Sequence, residues 1–165
     1  MASVLIREAR SDDQEALVGL MAELQEVERA LEADRAPGAE IARSHLHFLL
    51  GEVAATGGFV VVAEVSGRVA GFLLILVETD GGTYVRPECR RHAAVTDLVV
   101  TADARGRGIG RALLAAAEER VRTAGLASIR LALLADNAAA ERLYRRLGYR
   151  RYEVVMRKRL DTDEA

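Results

Sequence analysis

Between residues 105 and 111 the chain reads Arg105-Gly106-Arg107-Gly108-Ile109-Gly110-Arg111. At the start of a helix such a segment suits an anion. The first helical turn leaves its N–H groups unpaired and carries partial positive charge. Glycines let the backbone curl around a ligand without a Cβ in the way, and the arginines add charge. The chemistry that needs this set is phosphate or pyrophosphate binding; the alternative is a plain turn with solvated arginines. Two familiar loops do not fit. Gly-x-Gly-x-x-Gly from Gly106 requires glycine where Arg111 stands, and from Gly108 where Leu113 stands. There is no Gly-Lys-Ser/Thr of a P-loop. Arg130 stands where a dinucleotide oxidoreductase would carry an acidic ribose ligand, which further disfavours that class.

A second group follows. Asn137, Ala140 and Tyr144 fall at i, i+3 and i+7, on one side of a helix. Either Asn137 caps that helix and Tyr144 joins Leu143 and Leu147 in the core, or the amide and the phenol meet a ligand.

The elements that must position these residues can be read from pattern. Ser3 to Ala9 reads as a strand. Ser11, the acids after it and Gln14 form a helix start, and Leu17, Leu20, Met21, Leu24 and Leu31 recur at helical spacing. Pro37-Gly38 breaks the chain before a helix over 41–55. Strands are expected at 59–65 and 69–77, joined by a Ser66-Gly67 hairpin turn. Residues 83–91 read as a short strand and then a loop at Pro87. His92 to Val100 is a strand whose end, Leu98-Val99-Val100, is apolar on both faces. A helix over 110–123, a strand over 128–135, a helix over 137–147 and a last strand over 150–160 complete the order. The unit at 92–135 allows a right-handed parallel crossover.

Composition narrows the class. The chain has 165 residues, 50% hydrophobic and 29% charged, which excludes a disordered tail protein. With 23 basic and 25 acidic residues it has no electrostatic reason to hold nucleic acid non-specifically. Cys89 is the sole cysteine, which excludes an internal disulfide and a cysteine zinc site and suits a reducing compartment. His45 and His47 leave a helix in different directions and make a poor metal pair. Residues 1–10 make no signal peptide, and the longest apolar run, Phe72 to Val77, is far short of the roughly 20 residues that span a membrane. The expectation is a cytoplasmic protein of one α+β domain over 1–165, with no metal, nucleic acid or membrane partner.

Arg105-x-x-Gly108-x-Gly110 after a Leu-Val-Val strand, followed by Asn137-x-x-Ala140-x-x-x-Tyr144-x-x-x-Gly148-Tyr149, closely resembles the GCN5-related N-acetyltransferases (GNAT). The specific part covers about residues 92–152, and the element order extends the likeness to nearly the whole chain. The resemblance implies a mixed, mostly antiparallel sheet flanked by helices, with a splayed parallel strand pair. It implies acetyl-CoA as co-substrate, bound by the core at about 92–152, with acceptor-side elements at about 1–91. The loop from Arg105 through Gly106, Arg107, Gly108, Ile109 and Gly110 to Arg111 would hold the pyrophosphate. Pantetheine would bond main-chain groups of Leu98 and Val100. Asn137, with Ala140 beside it, would contact the pantetheine arm, and the Tyr144 hydroxyl would sit near the thioester sulfur. A homodimer is common in the family.

Acetyl transfer to an amine needs a neutral nucleophile, a stabilised oxyanion and a proton for the leaving thiolate. A thiol has a pKa of about 8.5 and a phenol about 10, so Tyr144 is protonated at neutral pH and can serve as general acid. A backbone N–H near Val99 or Val100 is the natural oxyanion donor. Direct attack, without an acyl-enzyme, is the family's usual route. Many members carry Glu or His in the strand before the Leu-Val-Val run; here Ala93 to Thr96 cannot act as base. Asp97 is the favoured candidate, against a plain exposed or backbone-bonding Asp, and His92 is the next, against a solvated residue at the strand start. The family's acceptor region maps to about 25–48 and 78–91. There Glu26, Glu28, Glu32 and Asp34 suit a cationic amine or form a solvated face, whereas Tyr84, Arg86 and Arg90 suit an acidic acceptor. A catalytically silent acetyl-CoA-binding or sensing module is the alternative from another class.

Overall fold

A computed structural model describes residues 3–160. The elements run β1 (Val4–Glu8), α1 (Gln14–Leu31), α2 (Gly38–Thr56), β2 (Phe59–Val65), β3 (Arg68–Thr79), α3 (Pro87–Arg90), β4 (Arg91–Val100), α4 (Ile109–Thr123), β5 (Ile129–Leu131) and α5 (Ala138–Arg146). Single 3-10 turns precede α1 at Ser11–Asp13 and α4 at Ala102–Ala104. The sheet order is β1-β2-β3-β4-β5, antiparallel except for the parallel pair β4–β5. This is the mixed α+β architecture that the sequence resemblance implies.

Each sheet face buries its own core. Val60, Val62, Phe72, Leu74, Leu76 and Val99 pack under Leu17, Leu20 and Met21 of α1 and Leu46 and Leu49 of α2. Val61, Leu73, Ile75, Ala93 and Val95 pack under Ile109, Leu113, Leu114, Ala117 and Val121 of α4. The central strands are therefore apolar on both faces, as their continuous hydrophobic runs require. At the β2–β3 turn both Ser66 (φ 51°) and Gly67 (φ 77°) adopt left-handed backbone, the two-residue geometry that matches strand twist.

The structure corrects five local expectations. Ser11 does not cap α1: Asp13 reaches back to accept the Arg10 N–H at 2.7 Å. The second helix starts earlier, at Gly38, where a Cβ would lie 2.4 Å from the Ala22 carbonyl oxygen, so glycine lets α2 close on α1. Residues 83–90 contain no strand, and β4 begins at Arg91; Pro87 opens the short helix α3, its missing N–H costing nothing at that position. The strand after α4 shrinks to Ile129–Leu131. The last strand is absent: Arg150–Leu160 pairs with no strand among the described residues, and its period-two apolar side chains, Tyr152, Val154 and Met156, are exposed.

Candidate functional site

The loop after β4 has a backbone geometry that suits an anion. Gly106 and Gly108 have φ of 76° and 78°, which a residue with a Cβ rarely adopts, and they turn the chain into α4. The first α4 bond runs from the Ala112 N–H to the Gly108 carbonyl. The N–H groups from Gly106 to Arg111 have no acceptor among the described residues, and no side chain caps the helix. They converge with the positive end of a helix dipole on exposed backbone. Arg105, Arg107 and Arg111 are exposed around them. The Arg105 Nε donates to the Val100 carbonyl at 2.9 Å, which folds this side chain back along the end of β4.

Behind the cradle the sheet opens. β4 pairs with β5 only through Ala93↔Ile129, Ala94↔Arg130 and Val95↔Leu131. From Thr96 to Val100, β4 keeps β3 on one side and has no strand on the other among the described residues. The Thr101 N–H donates to the Ala70 carbonyl at 2.9 Å. Carried inward along the register, that alternation makes Phe72–Val99 and Leu74–Asp97 the bonded pairs. Leu98 and Val100 then turn their N–H and C=O groups into the gap, whereas the Val99 N–H points at β3. Of the two candidate oxyanion donors, Val99 and Val100, only the Val100 N–H therefore faces the gap, and the Val100 carbonyl there accepts from Arg105.

A β-bulge aims the next residue. Leu74 faces Asp97 and Ile75 faces Val95, so Thr96 is an extra residue on β4. Asp97 is 8% exposed and makes no side-chain hydrogen bond to the backbone among the described residues, unlike either plain reading of it. Burial pushes its carboxyl above the usual range, with the Thr96 hydroxyl and the His45 ring opposing. His92 is not solvated: it is 3% exposed, its Nδ1 lies 3.0 Å from the Arg90 carbonyl oxygen and its Nε2 lies 3.3 Å from Glu78. It belongs to the network that ties the start of β4 to the end of β3.

Tyr144 sits on the opposite sheet face from Asp97, packed on the α4-side core with Leu143, Leu147 and Tyr149. Its hydroxyl has no hydrogen-bond partner among the described residues, and burial pushes its pKa up. The Tyr149 ring lies 5.8 Å from it at 57°, and the Tyr149 hydroxyl donates to Glu118 at 2.9 Å. Asn137 does cap α5, accepting the Ala140 N–H at 3.1 Å, which leaves its NH2 group free to donate. A Cβ at Gly110 would come within 3.3 Å of Leu143, so glycine there lets α4 and α5 close together. On the acceptor side, Arg130 forms a bidentate pair with Asp80, at 3.1 and 2.8 Å, and the Arg90 Nε donates to the Val85 carbonyl. The bulge at Thr96 was missed in the sequence; an Asp inside an apolar strand was the only signal.

A helix start with unpaired amides thus lies beside a parallel strand pair that splays apart, in the strand order β1-β2-β3-β4-β5. A model of the acetyltransferase (GNAT) family matches residues 20–149, and the chain belongs to that family. It is 35% identical over 99 residues to the mycothiol acetyltransferase of Arthrobacter sp. (strain FB24), covering 58% of this chain and 28% of the relative. It is 33% identical over 94 residues to the L-2,4-diaminobutyric acid acetyltransferase of Nocardia farcinica, covering 57% of this chain and 45% of the relative. The matched stretch spans less than half the length of each. In fold it is similar to a GCN5-related N-acetyltransferase from Ralstonia eutropha JMP134, with TM-score 0.76, 21% identity and 96% and 100% coverage of the two chains. It is also similar to the aminoglycoside N-acetyltransferase AAC(6')-Iy in complex with CoA, with TM-score 0.71, 18% identity and 96% and 95% coverage. Among the described residues no helix is long and apolar enough to cross a membrane, and no group of three or more His, Cys, Asp or Glu could hold a metal ion.

Proposed function

We propose that the chain is an acetyl-CoA-dependent N-acetyltransferase that moves the acetyl group directly to an amine of a small molecule or peptide. The observation that carries this reading is the row of free amides from Gly106 to Arg111, set at the mouth of the gap beside β4. A diphosphate satisfies those donors, and the attached pantetheine then runs into the gap along Leu98 and Val100. Asn137 donates its free NH2 to the arm, and Ala140 keeps the facing helix surface small.

The amine attacks from the α1–α2 side, losing its proton to Asp97. Burial suits this carboxylate to the task by raising its proton affinity. The Val100 N–H donates to the carbonyl oxygen as negative charge develops on it. As the C–S bond breaks, Tyr144 gives its proton to the thiolate from the α4–α5 side. Asp97 and Tyr144 thus act from opposite sheet faces through a gap that only the splay provides. The relatives named for mycothiol and for L-2,4-diaminobutyric acid support an amine acceptor.

The test is thiol release from acetyl-CoA across a panel of amines, with calorimetry of CoA binding. Turnover with at least one amine and saturable CoA binding are expected. Tight CoA binding without turnover would instead favour the silent sensing module. No CoA binding at millimolar concentration would remove both readings.

A further inference from the structure

The chain changes sides of the sheet after α5. Tyr149 packs in the α4-side cluster beside Tyr144. Further on, the Arg157 guanidinium pairs with Glu32 at 2.6 Å and with Asp34 at 2.5 Å, just past the end of α1, which covers the other face. Between them Tyr152 meets β5: the Arg130 Cζ stands 4.8 Å from the centre of its ring. β5 is the last strand of the sheet. Residues 150–157 therefore pass round its edge, on the side where β4 has no neighbouring strand from Thr96 to Val100 among the described residues.

Three side-chain tethers mark this passage. Arg151 pairs with Glu141 at 3.0 Å, Tyr152 lies against Arg130, and Arg157 holds Glu32 and Asp34. No backbone group from Arg150 to Leu160 bonds another backbone group among the described residues. Every residue of this stretch is exposed, the apolar Tyr152, Val154, Val155 and Met156 included. A segment with no ladder bonds and few buried contacts opens at little cost, and exposed ion pairs are weak and screened by salt. Without the Arg157 pairs the α1 end of the segment is free, while Glu141 and Arg130 keep the other end. The places it joins are specific. Glu32 and Asp34 lie in the α1–α2 connection, and Asp80, which accepts from Arg130 at 3.1 and 2.8 Å, lies just past β3.

We infer that residues 150–160 form a strap across the acceptor side of the gap, with Arg157 on Glu32 and Asp34 as its latch. This rests on the proposed acetyl transfer and adds a gate to it. The amine comes in between the α1–α2 connection and the turn after β3, the two segments that the strap spans. It enters when the latch is open, so its apparent affinity is lowered by the fraction of time the latch is closed. Acetyl-CoA enters at the loop before α4 and does not pass the latch.

The experiment releases the latch with Arg157→Gln. The pairs it breaks are on the surface, so the variant should fold and melt within about 2–4 °C of the wild type. With the best amine of the panel, the amine KM at low salt is expected to fall about threefold in the variant, with kcat and the KM for acetyl-CoA unchanged. At about 0.5 M sodium chloride the latch is screened in the wild type, and the two proteins should converge. An amine KM that is equal or higher in the variant at low salt overturns the gate and leaves acetyl transfer standing. So does a difference that salt does not reduce. The latch is also read without turnover, from a nitroxide on Met156→Cys in a Cys89→Ser background, both sites being exposed. Its electron paramagnetic resonance lines should sharpen on adding Arg157→Gln, and on adding salt with Arg157 in place; lines that do neither overturn the inference. If CoA binds and no amine turns over, the transfer reading fails separately. Carbodiimide labelling of Asp97, followed by mass spectrometry, then decides: faster labelling in Arg157→Gln upholds the strap, and an equal rate removes it.

Discussion

Asp97 stands across from Leu74 in the β3–β4 register, one residue past the bulge at Thr96. Before the bulge Ala93 and Val95 face α4; after it Leu98 and Val100 do. In an unbroken strand residues 97 and 99 would have continued that face, because side chains alternate with a period of two. The extra residue inverts the alternation, puts the Asp97 carboxylate under α1 and α2 and turns the Leu98 and Val100 backbone into the gap. A single irregularity therefore sets both the side on which the Asp97 carboxylate lies and the polar edge of the gap.

Asp97→Asn should separate activity from stability. If Asp97 is the base, kcat/KM falls about a hundredfold at neutral pH. In the wild type kcat/KM declines as pH falls through the raised Asp97 pKa, and this acid limb should flatten in the variant. Because the folded-state pKa lies above the unfolded one, the ionised carboxylate opposes folding at neutral pH. Asparagine removes that charge, so the variant should melt at a higher temperature there. Acidification through the folded pKa protonates Asp97 in the native wild type and should close the difference. Paired pH–rate profiles and melting curves check both halves; an unaltered rate profile would exclude Asp97 as base.

Tyr144→Phe keeps the ring that packs in the cluster with Leu143 and Leu147 and deletes a hydroxyl with no partner among the described residues. Little stability should be lost. Turnover should drop on the order of a hundredfold, the contribution of a positioned acid, with acetyl-CoA affinity nearly unchanged. Single-turnover rates beside calorimetric affinities make the measurement. An unaffected turnover number takes Tyr144 out of the acid role.

The two motifs and the order of elements were legible because they are local. Gly106, Gly108 and Gly110 answer to backbone needs, and α1 and α4 announce themselves by apolar spacing. What depends on distant partners was not legible. Tyr152, Val154 and Met156 alternate as a strand would, yet pattern does not supply a neighbouring edge, and the segment stays outside the sheet. The run Ala93-Ala94-Val95-Thr96-Asp97 has no strong contrast between inward and outward positions, so the bulge left little trace. Glu26, Glu28, Glu32 and Asp34 look alike in sequence; only the fold gives Glu26 the Gly38 N–H, Glu28 the Arg35 guanidinium, and Glu32 and Asp34 the Arg157 guanidinium.

Gly108→Ala probes the cradle itself. Gly108 sits at φ 78° as the N-cap of α4, with nothing within 4 Å of an added Cβ. The cost is thus backbone strain rather than a clash, about 1–2 kcal/mol, or a Tm lower by about 2–8 °C. Relaxing that strain rotates the amides beside it, so CoA affinity should weaken at least tenfold while a folded protein remains. Thermal melts and calorimetry on one preparation test the pair of effects; full affinity with lowered Tm would mean these amides do not hold the ligand.

Asp13 tests the scaffold apart from the chemistry. Its carboxylate accepts Arg7 Nη1 and Nη2 at 2.7 and 2.9 Å and the Arg10 N–H at 2.7 Å, while the Arg7 Nε reaches Glu64 at 2.9 Å. The network ties the end of β1 to β2 and fixes where α1 begins, with side-chain exposures of 14% for Arg7 and 9% for Asp13. Asp13→Ala strands a mostly buried guanidinium with Glu64 alone and should cost about 2–3 kcal/mol. The Arg7 hydrogen bonds hold the Asp13 carboxyl below the usual range. Its contribution is therefore full above the unfolded pKa and is lost as pH falls through the lower, folded one. Denaturant titrations should show the wild type ahead at neutral pH and the two proteins converging in strong acid. An equal gap at both extremes would mean that Asp13 acts by packing and not by charge.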